Sequence, residues 1–101
     1  LFFLIVQIAS YYFGIGDHSN AYRMAMEALE KRQHFPLGAA STYDLLGCIQ
    51  MAKRDEEAAY ESLRRALQLR IKYLSSNNPN HPDIGISYEN MARLCVRRVL
   101  Y

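Results

Sequence analysis

The stretch from Tyr43 to Ala66 constrains the chain more than any other. Its Leu46-Gly47 pair sets a bulky side chain beside a residue with none, so a second backbone can come close at Gly47. Ala59, Leu63 and Ala66 then fall at i, i+4 and i+7, one face of an answering helix. Between them Lys53-Arg54-Asp55 breaks the pattern. Asp55 is placed to cap the second helix, and Glu56 and Glu57 sit in its first turn, where acids suit the positive end of the helix dipole. The run predicts two antiparallel helices in close contact, and the same intervals recur. Ile5, Ile8-Ala9, Tyr12, Ala21 and Ala28 keep them upstream; Tyr88, Met91-Ala92 and Cys95 open them again downstream. Leu46-Gly47 lies 38 positions after Ile8-Ala9 and 45 before Met91-Ala92. Self-similarity at such a period marks repeated helical hairpins.

This pattern resembles the tetratricopeptide repeat (TPR), whose spacing is a bulky residue, a Leu-Gly pair, a Tyr, then Ala, a large residue and Ala. The middle unit departs at Gln50, where an aromatic is usual, and the first unit at Ala25, where a large residue is usual. Asn80-His81-Pro82-Asp83-Ile84 and Ser87-Tyr88-Glu89-Asn90-Met91-Ala92 are similar to the repeats of kinesin light chains, as is the long second helix ending in Ala66-Leu67-Gln68-Leu69-Arg70. The resemblance covers nearly the whole chain, and the subfamily likeness covers roughly residues 58–95. It implies an all-α, TPR-like α-solenoid segment of about five helices. Repeat 1 would span about 1–34, repeat 2 about 36–76 and a partial repeat 3 about 81–101 of one helical domain.

The punctuation agrees. Residues 1–14 read as a helix, apolar on nearly all sides, ended by Gly14-Ile15-Gly16. Asp17 to Ser19 offers a cap for a helix from Asn20 to about Gln33, which buries Ala21, Met24 or Ala25, and Ala28-Leu29, and shows Arg23, Glu27, Glu30 and Lys31 to water. His34-Phe35-Pro36 makes a turn. The third helix runs from about Leu37 to Ala52 and the fourth from about Glu56 to Ser75, with Glu61 and Arg65 favourably spaced. After the polar linker Ser75–Asn80, Pro82 starts the fifth, with Asp83 near its positive end. The first helix is apolar on more than one face, at Phe2, Phe3 and Leu4, and Val96, Val99, Leu100 and Tyr101 make the end of the fifth apolar. Either more repeats flank this segment or copies of it associate; expressed alone, it is expected to self-associate through these ends. The absent initiator Met suggests that residue 1 lies inside a longer protein.

Half the residues are hydrophobic and 22% are charged, which suits a globular chain. A net charge of +2 points to neither nucleic acid nor membrane, and Arg93, Arg97 and Arg98 read as a solvated helix face. The apolar start has no basic residue before Arg23, unlike a signal peptide, and Gln7, Ser10 and Gly14 break it too early for a membrane span. Cys48 and Cys95 lack metal or disulfide-scaffold spacing; both read as small packing residues in a reducing compartment, the cytoplasm. His18, His34 and His81 sit singly in loops, and no glycine pair has phosphate-loop spacing. No catalytic constellation, cofactor or metal site is expected.

What remains is a surface. In the tetratricopeptide family the first helix of each pair lines a concave groove, and the resemblance places one line of side chains from each such helix there. These are Phe3, Val6, Ser10 and Phe13; then Ser41, Asp44, Cys48 and Met51; then Ile86, Glu89, Arg93 and Val96. The last two sets are the candidate peptide-binding residues, with Asp44 and Glu89 favouring a basic ligand. The family's clamp for a terminal carboxylate needs a lysine and an asparagine where Val6 and Ser10 stand, so the tail of an Hsp70 or Hsp90 chaperone is not the expected ligand. The expected function is a non-catalytic scaffold binding a partner peptide or helix. The alternative is a dimerising or structural segment of a larger regulator or enzyme. A third reading rests on His81-Pro82-Asp83, which resembles the tripeptide of J-domain co-chaperones, and on Tyr43-Asp44-Leu45-Leu46-Gly47. The linker before the tripeptide and the lack of a lysine after it argue against that.

Overall fold

The computed structural model describes residues 2–31 and 35–100, without the side chains of Arg98 and Leu100. The turn residue His34, a helix end at Gln33, and the apolar Leu100 side chain and Tyr101 lie outside the described residues. Every regular element among the described residues is helical: α1 Phe2–Gly14, α2 His18–Lys31, α3 Pro36–Ala52, α4 Glu56–Leu74 and α5 Pro82–Leu100. The all-α fold is as expected. Each helix packs chiefly on its neighbours in the chain, α3 against α4 and α1 against α2 most closely. The molecule is a slab of 39 × 38 × 18 Å.

The two tight turns repeat atom for atom at the 38-residue interval. After α1, the N–H groups of Ile15, Gly16 and Asp17 donate to the carbonyls of Tyr11, Phe13 and Tyr12; after α3, those of Lys53, Arg54 and Asp55 donate to Ile49, Met51 and Gln50. Both turns pass through the left-handed region, at Gly16 (φ 85°) and Arg54 (φ 65°), where glycine is free and arginine is strained. Each turn then ends in an aspartate cap. Asp17 Oδ1 accepts from the Asn20 N–H at 3.2 Å and Asp55 Oδ1 from the Ala58 N–H at 3.3 Å. Asp17 also accepts from the Asn20 side chain, which holds its carboxyl below the usual value. With Asp17 rather than Ser19 as the cap, α2 begins two residues earlier than the sequence suggests.

Close packing at the hairpin crossings follows from paired residue sizes. A β-carbon built on Gly47 would lie 2.6 Å from Leu63 Cδ2 and 2.7 Å from Cγ, with the Ala59 carbonyl oxygen at 3.5 Å. Leu63 is fully buried and fills the space that Gly47 leaves. In the first hairpin the corresponding residues are Ala9 and Ala25, both fully buried in one cluster with Ala21, Leu46 and Ile49. The larger Ala9 is matched by the smaller Ala25. Further along, the second crossing is polar: Ser62 Oγ donates to Gln50 Oε1 at 2.6 Å, with both residues buried. Ser62→Ala removes the donor and leaves a buried amide oxygen unsatisfied. The expected cost is about 1–3 kcal/mol, read from the urea midpoint; an unchanged midpoint would mean that Gln50 finds water instead.

Helix α5 repeats the inward positions of α3 at the 45-residue interval. Ile84, Ser87 and Leu94 are buried, as are Ala39, Thr42 and Ile49. Leu94 and Met91 join Met51, Ala59 and Leu63 in a second apolar cluster. The start of α5 is capped by a histidine: His81 Nδ1 accepts from the Asp83 N–H at 3.0 Å, so His81-Pro82-Asp83 has a local structural role.

Candidate functional site

The candidate face comes from α3 and α5. On α5, a residue every third or fourth position puts Ile86, Glu89, Arg93 and Val96 on one line, and all four are exposed, Ile86 at 46% and Val96 at 55%. On α3, Ser41 is exposed and Cys48 half-buried. Cys48 is the point at which the charge of α5 bears on α3. Burial pushes the Cys48 thiol above its usual value, while Arg93 on α5 pulls it back toward the thiolate.

The other two α3 residues lie beneath this face. Met51 is buried in the cluster shared with α4 and α5, where its flexible thioether fills the junction. Asp44 is buried too, and Arg70 of α4, only 6% exposed, pairs with it through Nη1 and Asp44 Oδ2. The same Nη1 donates to Ser87 Oγ of α5 at 2.7 Å, and Nη2 reaches Ser41 Oγ at 3.4 Å. One guanidinium thus ties three helices together, with its five donors suited to such a junction. Burial pushes the Asp44 carboxyl up from its usual value, opposed first by the Arg70 charge and then by hydrogen bonds from Arg70 and Asn90. Asp44 Oδ1 has no partner of normal geometry. The Asp44 charge is therefore engaged inside the molecule, and Glu89 alone of the two expected acids faces outward.

Arg70 is the residue that sequence reasoning missed, having placed it only at the end of a long helix. A signal was present: Ser87 interrupts the inward line Ile84, Ser87, Met91, Leu94 with a hydroxyl, which asks for a buried polar partner. The α1 line is looser, with Phe3 exposed, Val6 half-buried, Ser10 exposed and Phe13 half-buried against the core and 5.8 Å from the His18 ring. Neither cysteine is disulfide-bonded, and Cys95 is exposed rather than packed.

A separate cleft of about 500 Å³ lies between α2, α3 and α4, lined by Leu29, Tyr43, Arg65, Gln68, Lys72 and Tyr73 among others. Its cations already have neighbours. Arg65 bonds to Glu61 and lies over the Tyr43 ring, and Lys72 lies over Tyr73. Among the described residues, no helix is long and apolar enough to cross a membrane, and no three His, Cys, Asp or Glu side chains are grouped to hold a metal ion. No protein-family model matches the chain, and no curated protein does.

Proposed function

We propose that this chain is a tetratricopeptide-like, non-catalytic scaffold that binds a short segment of a partner protein along the α3–α5 face. The observation that carries this reading is the exposed line Ile86, Glu89, Arg93, Val96, in which two apolar side chains flank two charges of opposite sign. Helical anchors at this spacing match an extended or helical ligand that offers apolar contacts with a basic residue for Glu89 and an acidic one for Arg93. The turns repeated at 38 residues support a repeat-type solenoid, and two unbridged cysteines suit the cytoplasm. Charge pairs on this face are exposed, so each contributes about 0–1 kcal/mol and weakens with salt.

Selection of short peptides from a displayed random library against the immobilised chain tests this. Enriched sequences should combine an apolar residue with Lys or Arg, and Glu89→Lys should weaken their capture about 3–10-fold, as loss and reversal of one exposed charge contact implies. Glu61→Lys, which disturbs only the exposed Glu61–Arg64–Arg65 cluster, should leave capture unchanged. Asp44→Lys is not a substitute, because it would bury a lysine against Arg70. Equal capture by wild type and Glu89→Lys would remove the α3–α5 face as the site.

A further inference from the structure

We propose that the cleft between α2, α3 and α4 is a second binding site, which takes an acidic segment of a partner protein through two separated carboxylates. It goes beyond the peptide-binding reading of the α3–α5 face, because α5 contributes nothing to the described lining.

Leu29 of α2, Tyr43 of α3 and Leu69 of α4 give the cleft, of about 500 Å³, an apolar lining. Arg65, Gln68 and Lys72 of α4 add polar heads to it. Their spacing of three and four residues sets them in one line along the helix, and all three are exposed. Among the described residues that line the cleft there is no carboxylate. Glu27 and Glu30 belong to a neighbouring hollow, where Arg23 accompanies them.

The neighbours of the two cations do not neutralise them. Glu61 is held mainly by Arg64, at 2.7 and 3.2 Å, and takes from Arg65 only the Nε–H, at 3.3 Å. The Arg65 guanidinium lies 5.9 Å from the centre of the Tyr43 ring, and Lys72 Nζ 5.3 Å from that of Tyr73. A ring face attracts a cation but carries no counter-charge. Among the described residues, no carboxylate is within ion-pair distance of Lys72.

The occupant follows from these charges. The cleft lies inside the run of helices, so a further hairpin stacked on α1 or on α5 leaves it open. A helix laid into it with an apolar seam would bury two cations without counter-charge, which is costly. Whatever fills it has to bring acids. Arg65 and Lys72 are two helical turns apart, about 10 Å along α4, and lie against different rings, so one phosphate meets only one of them. Two carboxylates on a short extended segment meet both. In a polyproline II stretch, residues three apart point the same way at a separation of about 9 Å.

Two-dimensional amide NMR of the isotope-labelled chain, titrated with a capped peptide whose core is Glu-Pro-Pro-Glu, tests this. Saturable shifts should fall on Leu29, Tyr43 and residues 65–73, and affinity should drop as salt rises. Lys72→Glu and Arg65→Glu should each weaken binding about 3–10-fold, as reversal of one exposed charge implies. Both side chains are exposed, so circular dichroism should stay helical. Glu89→Lys should change nothing, which separates this site from the α3–α5 face. A peptide with glutamine for both glutamates should not saturate, and one whose only acid is a single phosphoserine should bind more weakly than the diacid. Shifts confined to α5, equal binding of the glutamine peptide, tighter binding of the phosphoserine peptide, or full affinity in Lys72→Glu would overturn the proposal.

Discussion

Arg70→Met is expected to destabilise the fold by about 3–5 kcal/mol at pH 7, the usual cost of removing one partner from a buried ion pair. The loss falls on three helices at once, since Arg70 holds Asp44 and Ser41 of α3 and Ser87 of α5. What remains is a buried carboxylate with no cation beside it. Its pH dependence separates this cause from simple loss of packing. Burial raises the Asp44 carboxyl above 3.8, and the Arg70 charge is the first influence holding it down. Without the guanidinium the folded-state value rises further. An acid whose folded-state value exceeds its unfolded one contributes stability fully only below the unfolded value, and loses it as pH climbs through the folded one. The variant's deficit should therefore shrink as pH falls from 7 toward about 4, where Asp44 takes up a proton. Urea midpoints measured for both proteins across that range test it. A deficit that is constant or grows in acid would mean that the Asp44 charge is not the source. Adding Asp44→Asn to Arg70→Met should recover part of the loss at pH 7.

Gly47→Leu is expected to cost about 1–3 kcal/mol by overpacking the α3–α4 crossing. Gly47→Ala is the sharper measurement, because two effects of opposite sign compete. In a helix interior, alanine gains roughly 0.5–1 kcal/mol over glycine from backbone entropy. Here the added carbon would sit 2.6 Å from Leu63 Cδ2, and Leu63 is fully buried, so the clash should win and the melting temperature should fall. Combined with Leu63→Ala, the second substitution of the pair should cost less than it does alone, a positive coupling measurable in a double-mutant cycle. A melting temperature raised by Gly47→Ala would show that the helices cross elsewhere.

The parts legible in the sequence are those fixed by local pattern. Asp55 as a cap, Pro36 and Pro82 at helix starts and the inward run Ala59, Leu63, Ala66 each depend on neighbours a few positions apart, and all stand as expected. Gly47 was legible because the absence of a side chain is itself a signal. Asp44 was not. Its partner lies 26 residues away, on another helix, and nothing in a periodic reading separates a charge facing a ligand from one facing a buried guanidinium. Gln50 and Ser62 are a milder case: each interrupts an apolar line, but only the packed structure shows the two interruptions meeting. The outward positions of Glu89 and Arg93 followed the repeat register, because α5 has the periodicity of α3 but bears no charge on its inward line from Ile84 to Leu94.

The matched sizes at the two crossings bear on how such a chain can change by single steps. One hairpin holds Ala9 with Ala25, the other Gly47 with Leu63, on turns of the same hydrogen-bond pattern. Going from one solution to the other takes two substitutions, and either first step is penalised. Enlarging the glycine first crowds the leucine, while shrinking the leucine first opens a void. The two positions are therefore mutually dependent: the effect of a residue at one has a sign that only the other determines. Units of this kind drift apart in pairs of changes rather than singly, and two hairpins with the same backbone can come to share little at the point where they are most tightly packed.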